Sequence, residues 1–173
     1  MSSICSIAVL NGPNLNMLGM REPDIYGHQA LADIEAECRR LASEKQLEID
    51  WYQSNLEGEL ITKIQSLAGS VDWIVINAAG LTHTSVALRD ALSLFPGRVI
   101  EVHLSNIFER EDFRQHSFVS SIALPITTPA PDNITGNFAS DKILAALSIA
   151  VFPPPCLSNL TIGGNSISTT CVQ

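Results

Sequence analysis

Charge is scarce in this chain, and basic charge scarcer still. Asp, Glu, Lys and Arg make up 16% of its 173 residues, against about 25% in a typical soluble domain. Ten Lys and Arg face 18 Asp and Glu, a net charge of −8. That excludes a nucleic-acid or anionic-membrane binder, because neutralising phosphates takes lysine and arginine. The shortage is uneven: beyond Lys142 there is no Asp, Glu, Lys, Arg or His, so the last 31 residues are uncharged. Long apolar runs are missing too. No stretch approaches the roughly 18 residues that a membrane helix needs. The apolar stretch Ile4–Leu10 has no basic run before it and no small-residue cleavage site after it. It reads as a buried strand, and the chain as cytoplasmic. The four cysteines, Cys5, Cys38, Cys156 and Cys171, show no C-x-x-C spacing and read as free thiols of a reducing compartment. Neither G-x-G-x-x-G nor a P-loop occurs, so dinucleotide and NTP use are not indicated.

What is present has a regular order. Ile4–Leu10, Trp73–Ile76 and Val99–Leu104 are short apolar strand segments, and Leu47–Gln53 alternates or runs apolar as a strand. Such runs suit strands buried on both faces. Between them lie segments with apolar residues at three- and four-residue spacing. These are 30–45 (Leu31, Ile34, Cys38, Leu41), 58–68 (Leu60, Ile61, Ile64, Leu67) and a helix ending at Phe95, with Thr82 or Thr84 as its cap. Gly69 can close the second of these. Residues 11–29 read as a long functional loop, 108–117 as a loop with one helical turn, and 140–150 as a last helix stopped by Pro153–Pro155. Alternating strands and helices predict an α/β fold, with a parallel sheet covered by helices on both faces. Residues 1–152 form one domain. Residues 153–173 are an extension, with a hairpin around Gly163-Gly164-Asn165 as one option and a disordered end as the other.

Ligands of such sheets sit at the carboxyl ends of the strands. The residues there are polar: Asn11, Asn14, Asn77, His83, Glu101, His103, Ser105 and Asn106. Glu101 and His103 are two apart on a strand and share a face, so the carboxylate can orient an imidazole acid or base. A satisfied polar pair at a sheet edge is the plainer alternative. Adding His83 would allow a zinc-like set, but no H-E-x-x-H or cysteine cluster supports a metal. A hydrolase using Ser85, His83 and Asp90 lacks the G-x-S-x-G elbow. An FMN or phosphate ligand at the Thr82–Ser85 helix start is a rival binding function. Arg21 and Tyr26 share the loop. Lowering a tyrosine pKa from 10 to 7 takes roughly 4 kcal/mol. One arginine at about 4 Å and an effective dielectric near 20 supplies about that much.

The motifs converge. Val9-Leu-Asn-Gly-Pro-Asn-Leu-Asn-Met-Leu-Gly-Met-Arg-Glu-Pro-Asp-Ile-Tyr-Gly27 resembles the opening of the type II 3-dehydroquinate dehydratases. Gln53-Ser-Asn-Leu-Glu-Gly-Glu-Leu-Ile61, the block from Asn77 to Leu92, Glu101-Val-His-Leu-Ser-Asn106 and Phe113-Arg-Gln-His-Ser117 agree in order, over about residues 4–122. The resemblance implies a flavodoxin-like fold with a doubly wound, five-stranded parallel sheet. It implies dehydration of 3-dehydroquinate to 3-dehydroshikimate through an enolate, with neither metal nor cofactor. In that reading Tyr26 abstracts the proton and Arg21 lowers its pKa. Asn14 holds a water on the enolate. His103, oriented by Glu101, protonates the leaving hydroxyl. Asn77 and the N–H groups of Leu104 and Ser105 hold the substrate carboxylate and nearby groups, and His83 and Arg114 the ring hydroxyls. Asp90 reaches a neighbouring subunit in trimers assembled into dodecamers, and Arg110 is a second arginine on the lid side. The chain departs from the family pattern at Leu56, Ala79 and Phe108-Glu109, and Pro125–Asn133 reads as an insertion. A catalytically impaired relative acting as a binding or assembly module is the alternative, motivated by the altered C-terminal third.

Overall fold

The computed structural model describes residues 5–20, 28–126, 143, 146, 160–162 and 165–167. Five strands form one sheet: β1 (Ser6–Asn11), β2 (Glu48–Gln53), β3 (Trp73–Asn77), β4 (Arg98–Val102) and β5 (Leu124–Ile126), in the order β2-β1-β3-β4-β5. Every neighbouring pair is parallel. Three helices connect them: α1 (Leu31–Glu44), α2 (Glu57–Ser66) and α3 (Val86–Leu94).

Strand alternation divides the core in two. Ile7, Val9, Trp73, Val75, Ile100 and Val102 pack on one face with Ile34 and Cys38 of α1. Ala8, Leu10, Ile74, Ile76 and Val99 pack on the other with Leu60 and Ile64 of α2 and Leu88 and Leu92 of α3. The central strands β1 and β3 are therefore apolar at consecutive positions, which is why their runs show no alternation in sequence, whereas the edge strand β2 is only partly buried. Of the helix expected over 140–150, Ile143 and Ala146 are described. Both are helical and buried in the α1-side cluster.

Local chemistry sets the element ends. The Asp33 carboxylate accepts the Ala30 N–H at 3.0 Å and starts α1. Gly69, at φ +77°, follows the end of α2, where the left-handed region favours glycine. Ser85, and neither Thr82 nor Thr84, caps α3, its hydroxyl accepting the Leu88 N–H at 2.8 Å. Thr82 instead lies in a 3-10 turn, Ala79–His83, that precedes the helix. Over 108–117 the expected helical turn is two 3-10 turns, Ile107–Glu109 and Asp112–Arg114. Pro125, expected in an insertion, lies within β5 and pairs with Glu101. β5 is an edge strand, where a residue without an N–H is tolerated. The tail contains an antiparallel hairpin, β6 (Leu160–Ile162) and β7 (Asn165–Ile167), with Gly163 and Gly164 between the strands. Cys5 and Cys38 are free thiols, and the Cys156 and Cys171 expectation lies outside the described residues.

The winding of the sheet reverses between β1 and β3, whose last residues, Asn11 and Asn77, are register partners. The chain leaves β1 through Gly12, whose N–H donates to the Asn77 carbonyl at 2.8 Å. A β-carbon on Gly12 would lie 2.5 Å from the Ala78 carbonyl oxygen, a backbone atom that cannot swing aside. Gly12→Ala is therefore expected to destabilise the fold by about 1–3 kcal/mol, as overpacking does, and to displace the turn that carries Asn14. Denaturant unfolding and turnover, measured together, check both effects.

Candidate active site

A cavity of about 240 Å³ opens over the carboxyl ends of β1, β3 and β4. Asn14, Asn77, His83, His103, Leu104, Ser105, Arg110 and Arg114 line it, so the structure brings together most of the expected site residues. Arg21 and Tyr26 lie outside the described residues. Asp90 does not line the cavity. It is exposed on α3 and paired with Arg89 at 2.9 Å. The ionisable lining residues are His83, His103, Arg110 and Arg114. Among the described residues none of the lining is an acid, so in a chain of net charge −8 this part of the cavity favours an anion.

The centre of the site is the pair predicted from strand periodicity. Glu101 is on β4 and 1% exposed, and His103 follows the strand's end and is 8% exposed. His103 Nε2 lies 2.8 Å from Glu101 Oε1. A carboxylate accepts, so Nε2 carries the proton and Nδ1 is the atom left for proton transfer. Oε1 also accepts from the hydroxyls of Thr82 and Ser117, the latter at 2.7 Å, and Oε2 accepts from the Ser120 hydroxyl. Burial pushes the Glu101 pKa up, but the hydrogen bond and charge of His103, with the Ser120 and Thr82 hydroxyls, outweigh it and leave the pKa at about 2.

The other polar groups are held by neighbours in the same loops. His83 Nδ1 lies 2.8 Å from the His116 carbonyl. A carbonyl only accepts, so Nδ1 carries the proton and Nε2 remains for a ligand. Asn77 Oδ1 accepts the Ala79 N–H at 3.2 Å, which leaves the amide NH2 as donor. Ala79 has φ 50°, a left-handed conformation that an alanine pays for with its β-carbon. Asn14 also has positive φ, 67°, which asparagine tolerates. Its N–H donates to Asn55 Oδ1 at 2.9 Å, and Gln53 Nε2 donates to that same oxygen at 3.1 Å and to the Gly12 carbonyl at 3.3 Å. Arg110 donates to the Ser105 hydroxyl at 3.3 Å. The exposed Glu111 carboxylate sits 3.4 Å from Arg110 Nε and 3.1 Å from Arg114 Nε.

The hydroxyls of Ser117 and Ser120 were not among the expected site residues. They lie 16 and 19 positions from Glu101, and isolated serines in a loop have no periodic signature. The hydrolase reading fails on geometry: the Ser85 hydroxyl is buried and engaged at the helix start, and Asp90 faces Arg89. Among the described residues no cluster of three His, Cys, Asp or Glu side chains could hold a metal ion.

The depressed Glu101 pKa has a consequence for acid stability. The folded state favours the ionised carboxyl, so its contribution is complete above pH 4.5 and is lost as pH falls towards 2. Glu101→Gln removes that loss. The variant should be less stable than the parent at neutral pH, with a gap that narrows on acidification. Thermal unfolding at several pH values checks this, and a constant gap would contradict the assignment.

Comparison with known proteins agrees with the geometry. The family model described as dehydroquinase class II matches residues 5–128. A 3-dehydroquinate dehydratase of Cereibacter sphaeroides is 53% identical over 115 residues, covering 66% of this chain and 78% of that protein. The enzyme of that name from a Synechococcus strain is 52% identical over 120 residues, 69% of this chain and 82% of its own. The crystal structure of type II dehydroquinase from Butyrivibrio crossotus superposes with a TM-score of 0.73 at 38% identity, covering 84% of this chain and 97% of that one. The corresponding structure from Propionibacterium acnes gives 0.73 at 36% identity, with 84% and 99% covered. A five-stranded parallel sheet wound on both sides, a buried Glu–His pair at its carboxyl edge and these matches together show that the chain belongs to the class II dehydroquinase family.

Proposed function

We infer that this chain dehydrates 3-dehydroquinate to 3-dehydroshikimate. The observation that carries the reading is the cationic cavity built over a buried Glu101–His103 pair, in a chain of this family. The substrate is a carboxylate, which suits the histidines and arginines that line the cavity among the described residues.

In the proposed mechanism Tyr26, as phenolate, takes the proton at C2, α to the C3 ketone, and Arg21 stabilises the phenolate. The electron pair moves onto the ketone oxygen, and a water held by Asn14 hydrogen-bonds the enolate. The enolate then collapses, breaking the bond from C1 to its hydroxyl. His103, which enters this step as the imidazolium with its Nε2–H on Glu101, delivers its Nδ1 proton to that oxygen, so water leaves, the conjugated enone forms and the ring is left neutral. The Glu101 carboxylate stays ionised and stabilises the imidazolium before transfer. Asn77 and the N–H groups of Leu104 and Ser105 hold the substrate carboxylate, while His83 Nε2 and Arg114 bind ring hydroxyls. Arg110 stands on the lid side.

Asp90 acts in a neighbouring subunit in this reading. Val86, Asp90 and Leu94 lie four residues apart on α3 and so share one face. Both apolar members are exposed, Val86 at 53% and Leu94 at 77%. An exposed apolar face flanking a site residue supports assembly, which we propose is a trimer-based dodecamer in the cytoplasm.

Addition of 3-dehydroquinate should produce ultraviolet absorbance from the conjugated enone. Well-folded protein that gives no signal would overturn the reading. Tyr26→Phe and His103→Ala should each lower kcat by at least about 100-fold, the scale of general acid–base catalysis, with folding retained. Borohydride added with substrate should leave activity intact, because no Schiff-base lysine takes part. Light scattering should give twelve times the mass of one chain, and a monomer would remove the role given to Asp90.

A further inference from the structure

The carboxylate behind His103 is held by more than the histidine. Thr82 comes from the turn after β3, Ser117 and Ser120 from the segment before β5, and Glu101 from β4 itself. Three hydroxyls and one ring N–H thus converge on two carboxylate oxygens from three separate stretches of chain. Each hydroxyl has a single proton. Thr82 Oγ1 and Ser117 Oγ lie 2.9 Å apart, yet each also lies within bonding distance of Oε1. Ser117 Oγ further accepts the Ser120 N–H at 3.0 Å, so its proton is left for Glu101. An ionised Glu101 can accept all four donors, whereas a protonated one would itself have to donate and displace one of them.

The same segments are joined beyond the carboxylate. The Phe118 N–H donates to the Thr82 carbonyl at 2.9 Å, and the His116 carbonyl accepts from His83. The register neighbours of Glu101 are Ile76 on β3 and Pro125 on β5. Neither carries charge, and His83 on the adjacent turn is turned to the His116 carbonyl. Among the described residues, His103 is the one titratable side chain that bonds to Glu101. Orientation of the carboxylate therefore falls to the hydroxyls.

We propose that Thr82, Ser117 and Ser120 are positioning residues for proton transfer, fixing the Glu101 carboxylate so that His103 keeps its proton on Nε2 and presents Nδ1 to the cavity. The Ser120 hydroxyl matters most for the carboxylate's plane, because it bonds Oε2 while the other three donors share Oε1. None of the three hydroxyls lines the cavity, so substrate binding does not depend on them directly. This proposal rests on the dehydratase reading.

The test compares Ser120→Ala and Ser120→Thr with the parent protein. Parental turnover of 3-dehydroquinate tests the dehydratase reading by itself, and the variants then test the positioning role. Ser120→Ala should lower kcat about tenfold and leave KM within about twofold, an effect confined to the chemical step. Ser120→Thr, which keeps the hydroxyl, should restore kcat. Nitrogen-15 shifts of the His103 ring should report one tautomer in the parent and a mixture in Ser120→Ala, a change that mere packing would not cause. Parental kcat with an unchanged ring signal in Ser120→Ala would overturn the proposal. So would a loss of kcat that Ser120→Thr fails to restore. If Ser120→Ala does not fold, Thr82→Val and Thr82→Ser provide the same comparison on Oε1, with the same outcomes supporting or overturning the role.

Discussion

One buried charge organises the site. Glu101 is 1% exposed, and taking a carboxylate out of water costs several kcal/mol even after relaxation. A hydrogen bond to a charged group returns about 1.5–3 kcal/mol. One such bond would leave the charge uncompensated, and four can hold it. The donors are far apart in the chain, so the turn at Thr82 and the segment 117–120 must both close on β4. Their closure sets His83 through the His116 carbonyl and places His103 at the cavity wall. The site is thus a by-product of satisfying one carboxylate.

The sheet makes that closure possible. The central strands β1 and β3 are buried on both faces and end in asparagines, and the parallel winding gathers those ends on one edge. Asn11 and Asn77 meet there as register partners. Gly12 crosses Ala78 at a distance no side chain would permit, which keeps the first loop against the third strand. The left-handed residues Asn14 and Ala79 lie in these two crossings, where strain is tolerated because the surrounding bonds determine the backbone. Glu101, one residue before the end of β4, is the member of the site that the regular sheet itself supplies.

How much of this was legible in the sequence followed from range. Apolar runs between turn residues located the first four strands, and three- and four-residue spacing located the helices, because both signals are local. The Glu101–His103 pair was visible for the same reason, since residues two apart on a strand share a face. Thr82, Thr84 and Ser85 are all good capping residues for α3, and the sequence could not choose among them: Ser85 caps it, while the Thr82 hydroxyl bonds Glu101 and the Thr84 hydroxyl the Gly80 carbonyl. β5 was obscured by Pro125, which breaks strand patterns everywhere except at an edge. Ser120 carried no signal and Ser117 only that of a family motif, because what they touch is distant in sequence and nearby only in the fold. The motifs around Tyr26 and Arg21 spoke through family resemblance, not through periodicity.

The charge scarcity takes on a different meaning beside the cavity. A chain of net charge −8 repels anions at long range, yet the lining holds two arginines and two histidines. The reconciliation lies in Glu111, which is exposed at the rim. Its carboxyl is held below the usual range, first by its own backbone N–H and then by Arg110 and Arg114. An exposed pair of this kind is screened and contributes little to stability. The pair therefore holds Arg110 and Arg114 only loosely at a solvated rim, so in the proposed mechanism Arg114 can turn to a ring hydroxyl at small cost. Glu101, by contrast, sits where no solvent can replace its donors. Two acids of the same type thus do opposite work: the buried one fixes a geometry, and the exposed one keeps arginines paired without committing them.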